Sequence, residues 1–286
     1  MRTHSLIAII GPTGIGKTKL GVAYAKFLDG EVISVDSLQV YRDGGIMTAK
    51  PTLDEMDGIE HYLIDYLDAE EEPTDFDECA VEKIKLIQKR GKIPILVGGS
   101  TSLMIPLLSH PFVRGQDLNV VIMESDMEDL GWKLDARVDQ MVGQGLLEEA
   151  RHLYTLECEL RESERVARGI WKSIGYPELR SCFEVDEDSP LYHSLLAAGL
   201  ARMKANTRSY AATQLAWIRK DLIPGLRERG VEFTVFNAGI SPWTNANLDL
   251  IGASKVVLSA IEAQKNANLD SIEASEVVPP AIGVQA

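Results

Sequence analysis

Basic residues are in short supply: 29 Lys and Arg stand against 43 Asp and Glu, a formal net charge of −14 over 286 residues. Phosphate backbones are held chiefly by clustered Lys and Arg, so this deficit argues against a broad nucleic-acid footprint, whereas a small anionic ligand needs only a local basic pocket. Long apolar runs are also missing, and no stretch approaches the ~20 residues of a membrane span. The first residues, Met1-Arg2-Thr3-His4 and then Leu6–Ile10, run straight into a glycine loop where a signal peptide would need its cleavage site. A cytoplasmic protein with no membrane partner is expected. The 3 cysteines, Cys79, Cys158 and Cys182, lie far apart with no C-x-x-C pair, which offers neither a disulfide framework nor a zinc site. The 5 histidines show no metal-ligand spacing, and His61, the one beside a motif, is expected to be a hydrogen-bonded polar residue.

What is present is an alternation of strands and helices. Leu6–Ile10 is an apolar, β-branched run followed by a glycine loop and a helix over Lys17–Leu28 with Leu20, Tyr24 and Phe27 on one face. A second strand, Glu31–Val35, ends in Asp36-Ser37, and a loop over Leu38–Pro51 comes next. A helix over Phe76–Arg90 leads into the strand Pro94–Val97, which ends in Gly98-Gly99-Ser100, and a further strand covers Asn119–Met123. This pattern predicts an α/β fold, a parallel sheet covered by helices, with ligands at the carboxyl ends of the strands. Residues 127–229 read as mostly helical, a small helical subdomain with breaks near Gly143-Gln144-Gly145, Gly175-Tyr176-Pro177 and Glu184–Pro190. Within it Leu196, Met203, Tyr210 and Trp217 recur every seven residues as an expected core stripe. Lys204, Arg208 and Arg219 share the opposite character, a cationic face or simply a solvated one. A last strand is expected at Val231–Phe236, closing a domain over 1–236. Residues 237–286 read as a helical or flexible tail, in which Asn245-Ala246-Asn247-Leu248-Asp249 returns as Asn266-Ala267-Asn268-Leu269-Asp270.

Gly11-Pro12-Thr13-Gly14-Ile15-Gly16-Lys17-Thr18 has the full G-x-x-x-x-G-K-T spacing between a strand and a helix. Its glycines, among them Gly11, Gly14 and Gly16, let backbone N–H groups face phosphates; Lys17 adds a charge and Thr18 an oxygen for Mg²⁺. Asp36 ends the neighbouring strand, where a carboxylate serves as a general base, a metal ligand, or a helix cap together with Ser37. Glu124 and Asp126 compete for the metal-linked role or are a solvated strand end. Ser100 and Thr101 offer hydroxyls to a phosphate, or cap a helix. Arg137 reads as a surface ion pair or an anion ligand.

These segments together resemble the isopentenyltransferases that prenylate adenine. The likeness rests on the glycine loop, Asp36-Ser37-Leu38-Gln39-Val40-Tyr41-Arg42, Thr48-Ala49-Lys50-Pro51, Gly58-Ile59-Glu60-His61-Tyr62-Leu63-Ile64-Asp65, Gly91 through Ser100, Ile174-Gly175-Tyr176-Pro177-Glu178, and Asn206-Thr207-Arg208 through Gln214, Trp217 and Arg219. It implies a P-loop NTPase-like fold and transfer of a dimethylallyl group from dimethylallyl diphosphate to the exocyclic amine of an adenine. It further implies Asp36 as general base, with Lys17, Thr18 with Mg²⁺, Gly11, Thr13, Gly14 and Gly16 on the diphosphate. Ser100 then matches the family's hydroxyl beside the Gly-Gly pair, and Arg208 the arginine that neutralises the leaving group. Ser37, Gln39, Lys50, Thr101 and Arg137 are expected to bind substrate.

Two branches of that family differ in acceptor. Enzymes acting on tRNA carry a long helical insertion after the Gly-Gly block, whereas here only a short stretch from Thr101 to about Leu134 precedes Arg137. Ala212-Thr213 stands where a basic pair usually precedes Gln214, and no C-terminal zinc finger is present. These departures and the −14 charge favour a free adenine nucleotide as in cytokinin biosynthesis, with tRNA not expected as a partner; a compact tRNA dimethylallyltransferase is the alternative. A small-molecule kinase binding ATP at the P-loop is a third reading, and a non-catalytic nucleotide-binding module a fourth. The tail leaves room for a fused downstream enzyme.

Overall fold

The computed structural model describes residues 5–160 and 168–238. Strands β1 (Ser5–Ile10), β2 (Gly30–Val35), β3 (His61–Tyr62), β4 (Ile93–Gly98), β5 (Asp117–Glu124) and β6 (Phe233–Asn237) form one sheet in the order β3-β2-β4-β1-β5-β6. Every neighbouring pair is parallel. Parallel sheets need crossovers that cover both faces, so their strands read as continuous apolar runs. β2 and β4 are buried at every position, and β1 from Leu6 onward.

Side chains alternate across the sheet, and the core divides accordingly. Leu6, Ala8 and Ile10 of β1 join Ile33, Leu96 and Ile122 on one face. Ile7 and Ile9 join Val32, Ile95 and Val121 on the other. Against the first face pack α3 (Phe76–Lys89) and α4 (Thr101–Ser109), through Ile84, Ile87, Met104 and Leu107. Against the second pack α1 (Lys17–Leu28) and the first half of α6 (Met127–Gly143), through Leu20, Tyr24, Leu130 and Leu134.

The helical segment continues with α7 (Leu146–Glu159) and α8 (Tyr176–Leu179), then α9 (Pro190–Trp217), which Ser189 caps by accepting the Tyr192 N–H. A π-helical turn, Ile218–Leu222, joins α9 to α10 (Ile223–Glu228). Val138, Met141, Leu153, Leu179 and Met203 from this segment belong to the same buried cluster as Leu6 and Ile10 of the sheet. The helical subdomain therefore shares its core with the sheet. Short helices α2 (Leu53–Met56) and α5 (Pro111–Arg114) and the 3₁₀ turns Gly169–Lys172 and Arg180–Glu184 complete the described elements.

The strands and helices agree with the expected ones to within about two residues, and the three expected helical breaks are present. β3 was not foreseen: a two-residue strand leaves no periodicity to read. The seven-residue stripe is only partly a core face. Met203 is 2% exposed, but Tyr210 is 39% exposed, because at that point α9 passes beside a cavity. The expected tail and its internal duplication lie outside the described residues. Among the described residues no helix is long and apolar enough to cross a membrane.

Candidate active site

The carboxyl ends of β1, β2 and β4 deliver the glycine loop, Asp36 and Gly98-Gly99 to one place. Gly16, with φ 97°, occupies the left-handed region at the start of α1, a conformation that glycine adopts without a Cβ penalty. Gly99 lies so close to the glycine loop that a Cβ there would meet the Gly11 carbonyl oxygen at 2.2 Å. Gln214, buried on α9, ties these two loops together: its Oε1 accepts the Thr13 N–H at 2.8 Å and its Nε2 donates to the Gly99 carbonyl at 2.8 Å.

Two cavities meet at Asp36. The larger, about 370 Å³, is polar and is lined by Thr13, Gly14, Gly16, Lys17, Thr18, Asp36, Gln39, His61, Arg137 and Gln140 among others. The smaller, about 80 Å³, is walled largely by Leu38, Met47, Leu134, Val138, Met141, Ile174, Met203 and Tyr210. Thr13, Asp36, Thr48, Ala49 and Arg137 border both. Asp36 comes directly after β2, and its Oδ1 accepts the Leu38 N–H at 3.0 Å, which fixes the carboxylate's orientation.

Charges at this junction act on one another. Lys17 donates to the Pro12 carbonyl at 2.7 Å. Burial lowers its pKa to about 8, Asp36 works in the opposite direction, and Arg137 adds a smaller lowering. Burial likewise holds the Arg137 guanidinium below its ordinary value, against the pull of Asp36 and Glu55. Desolvation, then the charge of Asp36, pushes the Tyr210 phenol up to about 12. One acid thus sits among two cations and a phenol where a polar cavity meets an apolar one, an arrangement suited to an anionic ligand on one side and an apolar group on the other.

Of the residues expected to form the site, Thr13, Gly14, Gly16, Lys17, Thr18, Asp36, Gln39 and Arg137 line the larger cavity. Several others lie outside both cavity linings. Lys50 does not line either cavity; its ammonium pairs with Asp65 and donates to the Tyr41 carbonyl at 2.6 Å, so it holds the loop. Ser100 and Thr101 also lie off both cavities, and the Ser100 hydroxyl is engaged with Ser102 at 3.1 Å. Ser37 and Gly11 are absent from the walls as well, Gly11 because Gly99 packs on its carbonyl. Arg208 pairs with Asp135 and lies outside both linings. Lys204 pairs with Asp139 at 2.6 Å and Arg219 with Glu124 at 3.3 Å, so the expected cationic face is neutralised by carboxylates from neighbouring elements.

His61 differs in another way. Its Nδ1 sits 2.9 Å from the Ile59 carbonyl, while its buried Nε2 has no hydrogen-bond partner, and burial lowers its pKa. Gln39 faces the cavity but spends both ends on structure, accepting from the Ser34 hydroxyl at 3.1 Å and donating to the Ala49 carbonyl at 3.3 Å. Two contributors were not foreseen as site residues. Gln214 left a signal, because it falls between Ala211 and Leu215 on the buried face of α9, where an amide must find partners. Tyr210 left none, since its position in the stripe matched a core residue.

The fold and this junction define a P-loop NTPase-like protein whose site lies at the carboxyl edge of a parallel sheet. Residues 39–112 and 107–221 match the model of the IPP transferase family. A "bifunctional cytokinin biosynthesis protein" of Fusarium pseudograminearum is 49% identical over 222 residues, which take in 77% of this chain and 46% of that relative. The chain thus matches less than half the length of that protein. A tRNA dimethylallyltransferase of Bacillus anthracis is 31% identical over 297 residues, 78% of this chain and 90% of the relative. Among solved structures, a tRNA isopentenylpyrophosphate transferase from Bacillus halodurans superposes with a TM-score of 0.73 at 27% identity, covering 93% of this chain and 99% of that one. A eukaryotic dimethylallyltransferase acting on tRNA gives 0.75 at 27% identity, over 90% of this chain and 80% of that one. The chain belongs to the IPP transferase family and is a prenyltransferase.

Proposed function

We propose that this prenyltransferase moves a dimethylallyl group from dimethylallyl diphosphate to the exocyclic amine of a free adenine nucleotide. The observation that carries the chemistry is the position of Asp36 at the meeting of a polar, cation-lined cavity and an apolar one. The diphosphate is assigned to the larger cavity, against the glycine-loop amides, Lys17 and Arg137, and the five-carbon group to the apolar side. As the amine nitrogen bonds to the allylic C1, the C1–O bond breaks, the electron pair leaves with the diphosphate, and the amine proton passes to the Asp36 carboxylate. Negative charge grows on the diphosphate as the bond breaks, so fixed N–H donors and cations bind the transition state more tightly than the ground state. Each such donor is worth about 3 kcal/mol. An adenine amine is barely basic, so positioning beside Asp36 contributes more than prior deprotonation.

Mg²⁺ fits this donor set. It keeps several waters and is held through one or two protein oxygens together with substrate phosphates, and Thr18, which lines the larger cavity, would supply such an oxygen. When bound, the ion would neutralise the leaving group. Among the described residues there is no group of three His, Cys, Asp or Glu able to hold a metal ion by itself.

Three observations favour a free nucleotide. The net charge is −14. The segment between Gly98 and Arg137 is filled by α4, α5, β5 and the start of α6, with no added helical pair. The 49% identical relative is named for cytokinin biosynthesis. A tRNA acceptor is the second reading, favoured by the names of the 31% identical relative and of the superposing structures. The test offers AMP, ATP and unmodified tRNA separately with dimethylallyl diphosphate and Mg²⁺, and weighs the products by mass spectrometry. Prenylated AMP or ATP, lost in Asp36→Asn, supports the proposal. Modified tRNA alone transfers the assignment to the second reading.

A further inference from the structure

We propose that Glu149 is a positioning residue for prenyl transfer, its carboxylate clamping from α7 the loop that walls both cavities. The inference rests on the prenyltransferase activity and is independent of the acceptor. Oε1 accepts the Ile46 N–H at 2.8 Å and Oε2 the Met47 N–H at 2.7 Å, so one carboxylate satisfies two consecutive amides more than a hundred residues away in sequence. Glu149 lies in the first turn of α7. It lines neither cavity.

The clamped segment matters because it leads directly into the cavity walls. Met47 lines the apolar cavity, and Thr48 and Ala49 line both. Ala49 has φ 51°, the left-handed region, which is strained for a residue with a Cβ and persists only where the surroundings over-determine it. Its N–H donates to the Ile46 carbonyl at 2.9 Å. Its carbonyl accepts from Gln39 at 3.3 Å and from Arg137 Nη2 at 3.5 Å. The line of contact therefore runs from Glu149 to Ile46 and Met47, then through the turn at Ala49 to Arg137 beside Asp36. If the two amides are released, Ala49 can relax to an ordinary conformation, and the Arg137 guanidinium loses a fixed neighbour.

Glu149→Gln keeps the volume but presents one oxygen and one NH₂, and the NH₂ opposes an amide that needs an acceptor. The expected result is a fall in kcat of about tenfold or more per active site, as for a small misplacement of reacting groups, together with faster exchange of the Ile46 and Met47 amide hydrogens. Glu149→Ala should do the same, and adding Ala49→Gly to it should recover part of the rate, because glycine takes positive φ freely. A purely structural residue would lower the melting temperature while leaving kcat and KM of the folded fraction unchanged and showing no such recovery. Wild-type kcat in Glu149→Gln, or unaltered protection of the two amides in a slowed variant, overturns the proposal. Amide exchange reads the clamp without turnover. A wild-type chain that prenylates no acceptor would strike down the activity, whereas an active wild type with unaffected variants strikes down the clamp alone.

Discussion

Replacing Gln214 by leucine removes the bridge between the glycine loop and the Gly98-Gly99 loop while keeping much of the side-chain volume. Gln214 is 3% exposed, and its amide serves the Thr13 N–H and the Gly99 carbonyl, each at 2.8 Å. The two partners do not suffer equally. Thr13 borders both cavities, so water can take over its N–H, and only the net value of a hydrogen bond, about 1 kcal/mol, is lost. The Gly99 carbonyl faces buried protein, and an unsatisfied buried acceptor costs about 1–3 kcal/mol. A loss of about 2–4 kcal/mol in unfolding free energy is therefore expected, measurable as a lowered urea midpoint at unchanged m-value. Thr13 also loses its anchor, so inorganic diphosphate should bind about tenfold more weakly in calorimetric titration. A Gln214→Leu chain within about 0.5 kcal/mol of wild type, with unchanged diphosphate affinity, would refute the bridging role.

The same junction supports two further outcomes. Burial lowers the Lys17 pKa to about 8 in the free chain, so its charge is present below that pH and is lost as pH rises through it; diphosphate favours the charged form. The kcat/KM for the donor should therefore fall above about pH 8, approaching tenfold per pH unit, and this limb should vanish in Lys17→Met; a flat profile to higher pH would count against the assignment. Gly99→Ala puts a Cβ 2.2 Å from the Gly11 carbonyl, where only backbone can yield, so a large drop in melting temperature and loss of diphosphate binding are expected. Gly115→Ala, whose Cβ would find its nearest neighbour at 3.5 Å, is the control and should melt near wild type.

The sequence determined five of the sheet's six strands and their parallel sense. These come from local rules: apolar runs of strand length alternating with helical periodicity, and a glycine loop between the first strand and helix. Lys17 and Thr18 were legible because they open the helix that follows the glycine loop, and Asp36 because it directly follows β2, where ligands gather in a parallel sheet. The family was legible from motifs in their order along the chain, which needs no coordinates.

Tertiary structure decided which of the polar residues beside those motifs face the cavities and which are consumed in holding the loops. Lys50, Ser100 and Arg208 belong to the same sequence blocks as the lining residues, yet their partners are Asp65, Ser102 and Asp135. Neighbourhood in sequence carries a residue to the site but does not orient its side chain. Gln214 and Glu149 reach the glycine loop and the 46–49 loop across sequence separations of 201 and about a hundred residues. No local pattern encodes such a pairing, because it exists only once the helices have packed on the sheet and the amides of the loops have been brought within hydrogen-bonding distance.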